Sequence, residues 1–375
     1  MSIDTEILIF VEDPGAANCV TRLPSALEDL SIGTSLFAAG TAVGYLGQQG
    51  IAFTELPEGS TAASLLDNAS PKLVLVGTSE DPDTFGLQLV APAQERGIPT
   101  VGIVDGPANP QHRFRGRGDA PLHHVPDFLI VPTDPLKKTF VQLGHGQENI
   151  FIGGHPHYDA IKEKRGALRE IGRAALRKKI LPEISDERPL IVFAAEISDG
   201  LDPTQFQRSA DYTLRGRGQS DLRTNIVLEE LLDSLNTLGP KPYMVLRLHP
   251  KNTRQEYSVY ASEIDHISDS GSPLDVCFAA DLVVGMTSIL LIEAAILGRP
   301  TLSIIPRDVE KNWLDSIELG LTKVATSRDE LHQAISQFMK DWPKETDNRV
   351  DEVINFGSTD RIAKFLTDKI ADESL

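Results

Sequence analysis

The amino-acid sequence predicts an α/β protein of two domains, each built on a parallel β-sheet, that face each other across a central cleft. Three observations predict this architecture. Short apolar runs alternate with amphipathic helical stretches, which is typical of βαβ units. The alternation pauses over a basic stretch, residues 162–188, and starts again at residue 190. The chain has 375 residues, more than one compact core usually holds.

The first domain is predicted over residues 1–160. Its strands are predicted at residues 6–12, 34–39, 73–76, 100–104 and 128–131. These runs are rich in Val, Ile and Leu and alternate little, as expected for strands buried on both faces of a parallel sheet. Helices are predicted over residues 18–30, 85–96 and 135–143, and the last two precede Gly97 and Gly144, a residue type that often ends helices.

Residues 161–188 are predicted to form a helical linker, and residues 189–345 the second domain. Strands are predicted there at residues 190–195, 243–248, 282–284 and 301–305, and helices at 224–238, 288–297 and 328–339. A last helix over residues 359–371 follows Ser358, a typical capping residue. Residues 346–375 are expected to cross back to the first domain, a placement that rests on the resemblance described below.

Composition excludes several classes of function. The net charge of −18 disfavours binding to nucleic acid, which requires a basic surface. The two cysteines, Cys19 and Cys277, lie far apart, so we expect no disulfide framework, no zinc site and a reducing, cytoplasmic location. No apolar run approaches the ~18 residues of a membrane span, so any membrane contact is expected to be peripheral.

A basic and histidine-containing motif ends the strand at residues 243–248. Arg247, His249 and Lys251 lie together there, and Pro250 prevents further strand pairing. These side chains are donors suited to phosphate oxygens. The motif therefore predicts a phosphate site, and the alternative is a histidine packed in a turn.

A second candidate phosphate site lies at the start of the helix over residues 288–297. Thr287 and Ser288 follow a strand and Gly285, where free N–H groups and the helix dipole attract anions. The alternative is that one hydroxyl only caps the helix. Glu293 lies further along the same helix, where its carboxylate would meet ribose hydroxyls.

The first domain offers a carboxylate at the end of a strand. Asp105 follows the strand at residues 100–104 and suits a general base, although an Asp-Gly pair also forms turns.

Gly15 and Asn18 lie in a loop of small residues after the first strand, where a ligand would approach the backbone. Two long loops, residues 105–126 and 198–223, carry arginines in an otherwise acidic chain, which favours a ligand bearing phosphate.

These segments resemble GT-B enzymes of bacterial surface-carbohydrate assembly, above all bacterial sialyltransferases and CDP-glycerol-type polymer transferases. The matching residues are Asp105-Gly106, His249-Pro250 and Thr287-Ser288. Residues 281–305 are also similar to the donor-binding half of GT-B proteins generally, including UDP-GlcNAc 2-epimerases. This chain differs from sialyltransferases at one position. Sialyltransferases have two acidic residues before the glycine, whereas this chain has Val104 and Asp105 there.

The resemblance implies an inverting, metal-independent glycosyltransferase of surface polysaccharide or glycolipid synthesis that needs no cofactor. It would move a sugar, or a glycerophosphoryl-like group, from a nucleotide-activated donor to the hydroxyl of a saccharide or glycolipid acceptor. Asp105 would deprotonate that acceptor, and His249, with Arg247 or Lys251, would stabilise the leaving phosphate.

Two alternatives stay open. A nucleotide-sugar 2-epimerase or hydrolase predicts further carboxylates in the first domain and turnover without an acceptor. A catalytically silent GT-B binding protein predicts nucleotide binding without turnover. A fold alone does not choose among these.

Overall fold

The computed structural model describes residues 5–184, 188–197, 205–342 and 349–372. The chain divides into two units, unit 1 with Met1–Ala160 and Asn355–Leu375, and unit 2 with Ile161–Ile354. Helix α7 (Pro156–Ile171) includes the point of division. Among the described helices, none has both the length and the apolar character needed to cross a membrane.

Unit 1 is built on a seven-stranded parallel sheet with strand order β3-β2-β1-β4-β5-β6-β7. Its strands are β1 (Ile7–Val11), β2 (Thr34–Ala38), β3 (Thr54–Glu55), β4 (Leu73–Gly77), β5 (Thr100–Ile103), β6 (Phe128–Val131) and β7 (Ile150–Ile152). Its helices are α1 (Pro14–Val20), α2 (Leu23–Glu28), α3 (Gly40–Gln49), α4 (Ala62–Ala69), α5 (Phe85–Gln94), α6 (Asp134–Leu143) and α15 (Ser358–Asp372).

The unit 1 sheet is covered on both faces, so its central strands are buried throughout. All five residues of β1 are fully buried, and they alternate between two apolar clusters on opposite faces of the sheet. Helix α15 contributes Ile362, Leu366 and Ile370 to one of these clusters. The C-terminal helix is therefore part of the unit 1 core.

Unit 2 contains a six-stranded parallel sheet with strand order β10-β9-β8-β11-β12-β13. Its strands are β8 (Leu190–Ala194), β9 (Tyr243–Arg247), β10 (His266–Ser268), β11 (Leu282–Gly285), β12 (Thr301–Ile304) and β13 (Lys323–Ala325). Its remaining helices are α8 (Arg173–Ile180), α9 (Arg223–Asn236), α10 (Pro273–Ala279), α11 (Ile289–Ile296), α12 (Asp315–Glu318), α13 (Arg328–Asp341) and α14 (Val350–Val353).

The prediction of two parallel-sheet α/β domains is confirmed. One local difference has a clear physical cause. The helix expected over residues 18–30 is two helices, α1 and α2, and Pro24 lies in the first turn of the second. Proline lacks the N–H that a continuing helix needs and is tolerated in a first turn.

Each sheet has one place where the chain reverses the direction in which it adds strands. In unit 1 this switch point lies between β1 and β4, and in unit 2 between β8 and β11. Open α/β sheets bind ligands beyond the carboxyl ends of their strands at such points. The residues that follow these four strands therefore define the two candidate sites.

Candidate functional site

Polar side chains follow the adjacent strands β1, β4 and β5 at the carboxyl edge of unit 1. Asp13 follows β1, Thr78 and Ser79 follow β4, and Asp105 follows β5. Because these strands are hydrogen-bonded neighbours, their ends bring the four residues into one cluster. The Asp105 position predicted from the sequence thus lies beside the unit 1 switch point.

The carboxylate of Asp105 is held by two donors. Arg113 Nη1 lies 3.0 Å from Asp105 Oδ1, and the Thr78 hydroxyl donates to the same oxygen at 3.3 Å. Arg113 is 7% exposed and also donates to the carbonyl oxygen of Ala108. This charged hydrogen bond fixes the orientation of the Asp105 carboxylate.

Gly15 lies directly against Asp105. A Cβ added at Gly15 would approach Asp105 Oδ2 far inside the 3.0 Å that real Cβ contacts essentially never cross. The small residues after β1 therefore make room for an internal carboxylate. Asn18, the second residue predicted in this loop, accepts a hydrogen bond from the Tyr45 hydroxyl within unit 1.

Asp13 is a second carboxyl group in this cluster, and the sequence interpretation did not assign it a role. Burial raises the pKa of Asp13, the hydroxyl of Ser79 opposes this by hydrogen bonding, and the negative charge of Asp105 raises the pKa further. Glu80 adds another carboxylate, 3.7 Å from Arg113. An Asp directly after the first strand was the available signal, but the sequence does not show its distance from Asp105.

His155 lies next to the same cluster and is neutral. Complete burial lowers the pKa of His155 to about 3, and its Nε2 lies 3.6 Å from Cys19 Sγ. Burial also raises the pKa of the Cys19 thiol well above its ordinary value. Both groups are therefore uncharged near neutral pH, so they line the cluster without adding charge.

In unit 2, an internal carboxylate occupies the predicted anion position at the start of α11. Glu196, in the segment after β8, accepts hydrogen bonds at Oε1 from the backbone N–H groups of Met286 (3.1 Å), Thr287 (2.7 Å) and Ser288 (2.8 Å). The Thr287 hydroxyl donates to Glu196 Oε2 at 3.0 Å. The Ser288 hydroxyl caps the helix by accepting from the N–H of Leu290.

A buried ion-pair network supports Glu196. Arg223 donates to Glu196 Oε2 at 2.9 Å, to Glu310 Oε2 at 2.9 Å and to the Thr287 hydroxyl at 3.2 Å. Arg307 donates to the other oxygen of Glu310 at 2.8 Å, and Glu310 is fully buried. Sequence reasoning noted Arg223 only as a loop arginine and missed both glutamates, because neither lies in a recognisable motif.

The histidine motif lies at the same edge of the unit 2 sheet, one strand away. His249 follows β9, and β8 separates β9 from β11. Neighbouring strands are about 4.8 Å apart, so the ends of β9 and β11 are separated by about 10 Å, and Glu196 lies in the segment that follows the strand between them. His249 is half-buried, and its Nδ1 accepts the N–H of Lys251 at 3.2 Å.

Arg247, also predicted to bind phosphate, is engaged in structural contacts. Its guanidinium donates to the Ser268 hydroxyl and to the carbonyl oxygens of Ser270 and Gly271 at 2.6–3.0 Å. Burial lowers the pKa of Arg247. These contacts join the end of β9 to the segment after β10, whereas the Lys251 side chain is exposed.

Glu293 is buried on α11, 6% exposed. Burial raises the pKa of the Cys277 thiol on α10, and the negative charge of Glu293 raises it further. Of the loop arginines in unit 2, Arg217 pairs with Glu263 and Asp233, and Arg208 with Asp221. Residues 198–204 of that loop lie outside the described residues.

A cavity of about 430 Å³ lies at the opposite edge of unit 2. Leu282, Thr301 and Lys323, the first residues of β11, β12 and β13, contribute to its wall. None of the site residues predicted from the sequence lines it.

No family model and no curated protein matches the chain. Several solved structures match its fold. The chain is similar to the UDP-GlcNAc 2-epimerase of Neisseria meningitidis bound to UDP-GlcNAc, at 15% identity and a TM-score of 0.67, covering 98% of this chain and 100% of that one. It is also similar to the UDP-GlcNAc 2-epimerase of Methanocaldococcus jannaschii, at 14% identity and a TM-score of 0.66, covering 97% and 99%. The Staphylococcus aureus protein MnaA, solved with UDP, matches at 13% identity and a TM-score of 0.65, covering 97% and 96%.

These matches confirm the GT-B-like fold and correct the predicted activity. The prediction of an inverting glycosyltransferase with a hydroxyl acceptor is wrong, because the matched proteins are isomerases of the same fold and favour the 2-epimerase alternative. The narrower resemblance to sialyltransferases and CDP-glycerol-type transferases is not shown by them. The error has a physical source, since short motifs at strand ends mark where such a fold binds ligands and do not specify the reaction. The chain thus has the GT-B-like fold shared by UDP-GlcNAc 2-epimerases.

Proposed function

We propose that this chain is a nucleotide-sugar 2-epimerase that acts on a UDP-sugar. The observation that carries the proposal is the second carboxyl group of unit 1, Asp13, in one cluster with Asp105. The 2-epimerase alternative requires such additional carboxylates, whereas the discarded transferase scheme needed only one. The similarity in fold to UDP-GlcNAc 2-epimerases over nearly the whole chain supports the same activity.

The two carboxyl groups lie in different environments, which suits them to different roles in acid–base chemistry. Inverting C2 means that its C–H bond breaks and that a new one forms on the opposite face, which needs a proton acceptor and a proton donor. Since no carbonyl group adjoins C2, the electron pair of the broken bond forms a C1=C2 double bond as the nucleoside diphosphate leaves C1, and the diphosphate adds back to C1 when C2 is reprotonated. Arg113 and Thr78 hold the Asp105 carboxylate by hydrogen bonds, whereas burial raises the pKa of Asp13. Carboxyl groups held in different environments can divide the base and acid roles between them.

Unit 2 is proposed to bind the nucleotide. His249, Lys251, Thr287, Ser288 and Glu293 remain the candidates for phosphate and ribose contacts, and Arg223 joins them because its guanidinium contacts the Thr287 hydroxyl. Arg247 is a weaker candidate, since its donors already bind Ser268, Ser270 and Gly271.

The direct test is to incubate the protein with UDP-GlcNAc in D₂O without any acceptor and to follow C2 by proton NMR. We expect formation of the C2 epimer together with incorporation of solvent deuterium at C2. A panel of other UDP-, GDP-, dTDP- and CMP-sugars defines the donor. If the protein leaves every member of that panel unchanged, with no deuterium at C2, the proposed activity is wrong.

Asp13→Asn and Asp105→Asn should each lower the rate of conversion about 10²–10⁴-fold, the usual contribution of a positioned acid or base. Asp29→Asn, an exposed position at the end of α2, is the matched control and should keep the wild-type rate. UDP affinity, measured by calorimetry, should stay close to that of the wild type in all three variants. A fall of less than tenfold for either cluster variant removes that residue from the chemistry.

A further inference from the structure

Glu196 occupies a position that suits an anion from outside the chain. We propose that Glu196 competes with the phosphate groups of a nucleotide for the donors at the start of α11, so that nucleotide binds only by displacing it. This inference rests on the proposed function for the nature of the ligand. In this arrangement Glu196 limits how tightly the site in unit 2 binds nucleotide.

The donors around Glu196 form a set that a phosphate group can use. Three consecutive backbone N–H groups converge on one carboxylate oxygen, and the Thr287 hydroxyl serves the other. Successive N–H groups at a helix start, reinforced by the helix dipole, bind phosphate oxygens as readily as carboxylates. The set also lies at the switch point between β8 and β11, where α/β sheets take their ligands.

Glu196 is the member of the buried network that can leave. Its side chain is 15% exposed and lies in an irregular segment, whereas Glu310 has no exposure at all. Both Arg223 and Arg307 bind Glu310 and stay paired if Glu196 moves away. Two arginines and one glutamate then remain, and their net positive charge favours an incoming phosphate.

The test compares Glu196→Gln with the wild type in calorimetric titrations with UDP and, separately, with inorganic pyrophosphate. Glutamine keeps the size of the side chain but removes the competing charge. We expect both ligands to bind the variant about tenfold tighter or more, a difference of one decade in Kd. Glu318→Gln removes the same charge from an exposed position on α12 and should leave both affinities at the wild-type value.

Equal or weaker binding of pyrophosphate by Glu196→Gln would overturn the proposal, since the carboxylate would then be a fixed cap. If circular dichroism shows that this variant is unfolded, Glu196→Asp decides. Its carboxylate is one methylene shorter and should compete less, so UDP affinity should rise above the wild-type value, and an unchanged or lower affinity contradicts the idea. Neither readout involves sugar conversion, so a failed epimerase assay and a failed competition remain distinct results.

Discussion

At the scale of single residues, Gly15 and Gly44 form a natural pair of probes. Gly15 lies against the Asp105 carboxylate with no room for a methyl group, whereas a Cβ at Gly44 on α3 would meet nothing within 4 Å. We expect Gly15→Ala to lower the free energy of unfolding by about 1–3 kcal/mol, the usual cost of overpacking. Gly44→Ala should raise it by about 0.5–1 kcal/mol, because glycine is a poor helix residue.

Urea unfolding of the two glycine variants measures both effects. Gly15→Ala should also slow sugar conversion, because the Asp105 carboxylate must shift to admit the methyl group. Unchanged stability of Gly15→Ala would mean that the Asp105 carboxylate does not rest against this backbone. The Gly44→Ala variant is the control for a general effect of replacing glycine by alanine in unit 1.

At the scale of elements, α15 is the part of unit 1 that is most distant in sequence. Leu366 is fully buried among the apolar residues around β1, and Phe365 stacks on Phe151 of β7 with ring centroids 4.5 Å apart. Leu366→Ala should therefore lower the free energy of unfolding by about 2–5 kcal/mol. Lys364→Ala, on the exposed side of the same helix, should change it by less than about 0.5 kcal/mol.

Amide hydrogen exchange is the informative measurement for Leu366→Ala, because it reports on each strand separately. We expect the loss of protection to be greatest in β1, β2, β4, β5 and β6, whose side chains share a cluster with Leu366. A variant as stable as the wild type would show that α15 is dispensable for the unit 1 core.

At the scale of the whole molecule, the acidic composition governs behaviour in solution. The net charge is −18 at pH 7, and the isoelectric point is near 4.9. Charge of one sign keeps molecules apart, so light scattering should show high solubility at neutral pH and a minimum close to pH 4.9. A solubility minimum above pH 6 would mean that a local apolar surface, and not net charge, controls association.

The sequence was sufficient to predict the architecture. Every residue of β1, β4 and β8 is buried, and in the sequence such strands are recognised as runs rich in Val, Ile and Leu. The short strands β3 and β13, with exposed or half-buried residues, carry no such signal and were not predicted. Strand ends were placed well because a change from apolar to polar residues marks them directly.

The hydrogen-bond partners of the site residues could not be predicted from the sequence. Glu196 binds Thr287 across 91 positions of the chain, and Arg113 binds Asp105 through a loop without regular spacing. The first contact depends on how the strands are ordered in the sheet and the second on the path of a loop, and local sequence patterns encode neither. The same limit explains the wrong transferase prediction, since a two-residue motif shows a ligand edge but not the chemistry performed there.

The position of α15 in the chain has a consequence for synthesis on the ribosome. Unit 1 begins at the N-terminus but lacks α15 until the 194 residues of unit 2 have been made, which takes about 10–40 s at 5–20 residues per second. During that interval the apolar side chains that later pack against Ile362, Leu366 and Ile370 lack those three contacts. The nascent first unit therefore exposes apolar surface that α15 covers later, while the second unit already has all its own strands and can fold ahead of it.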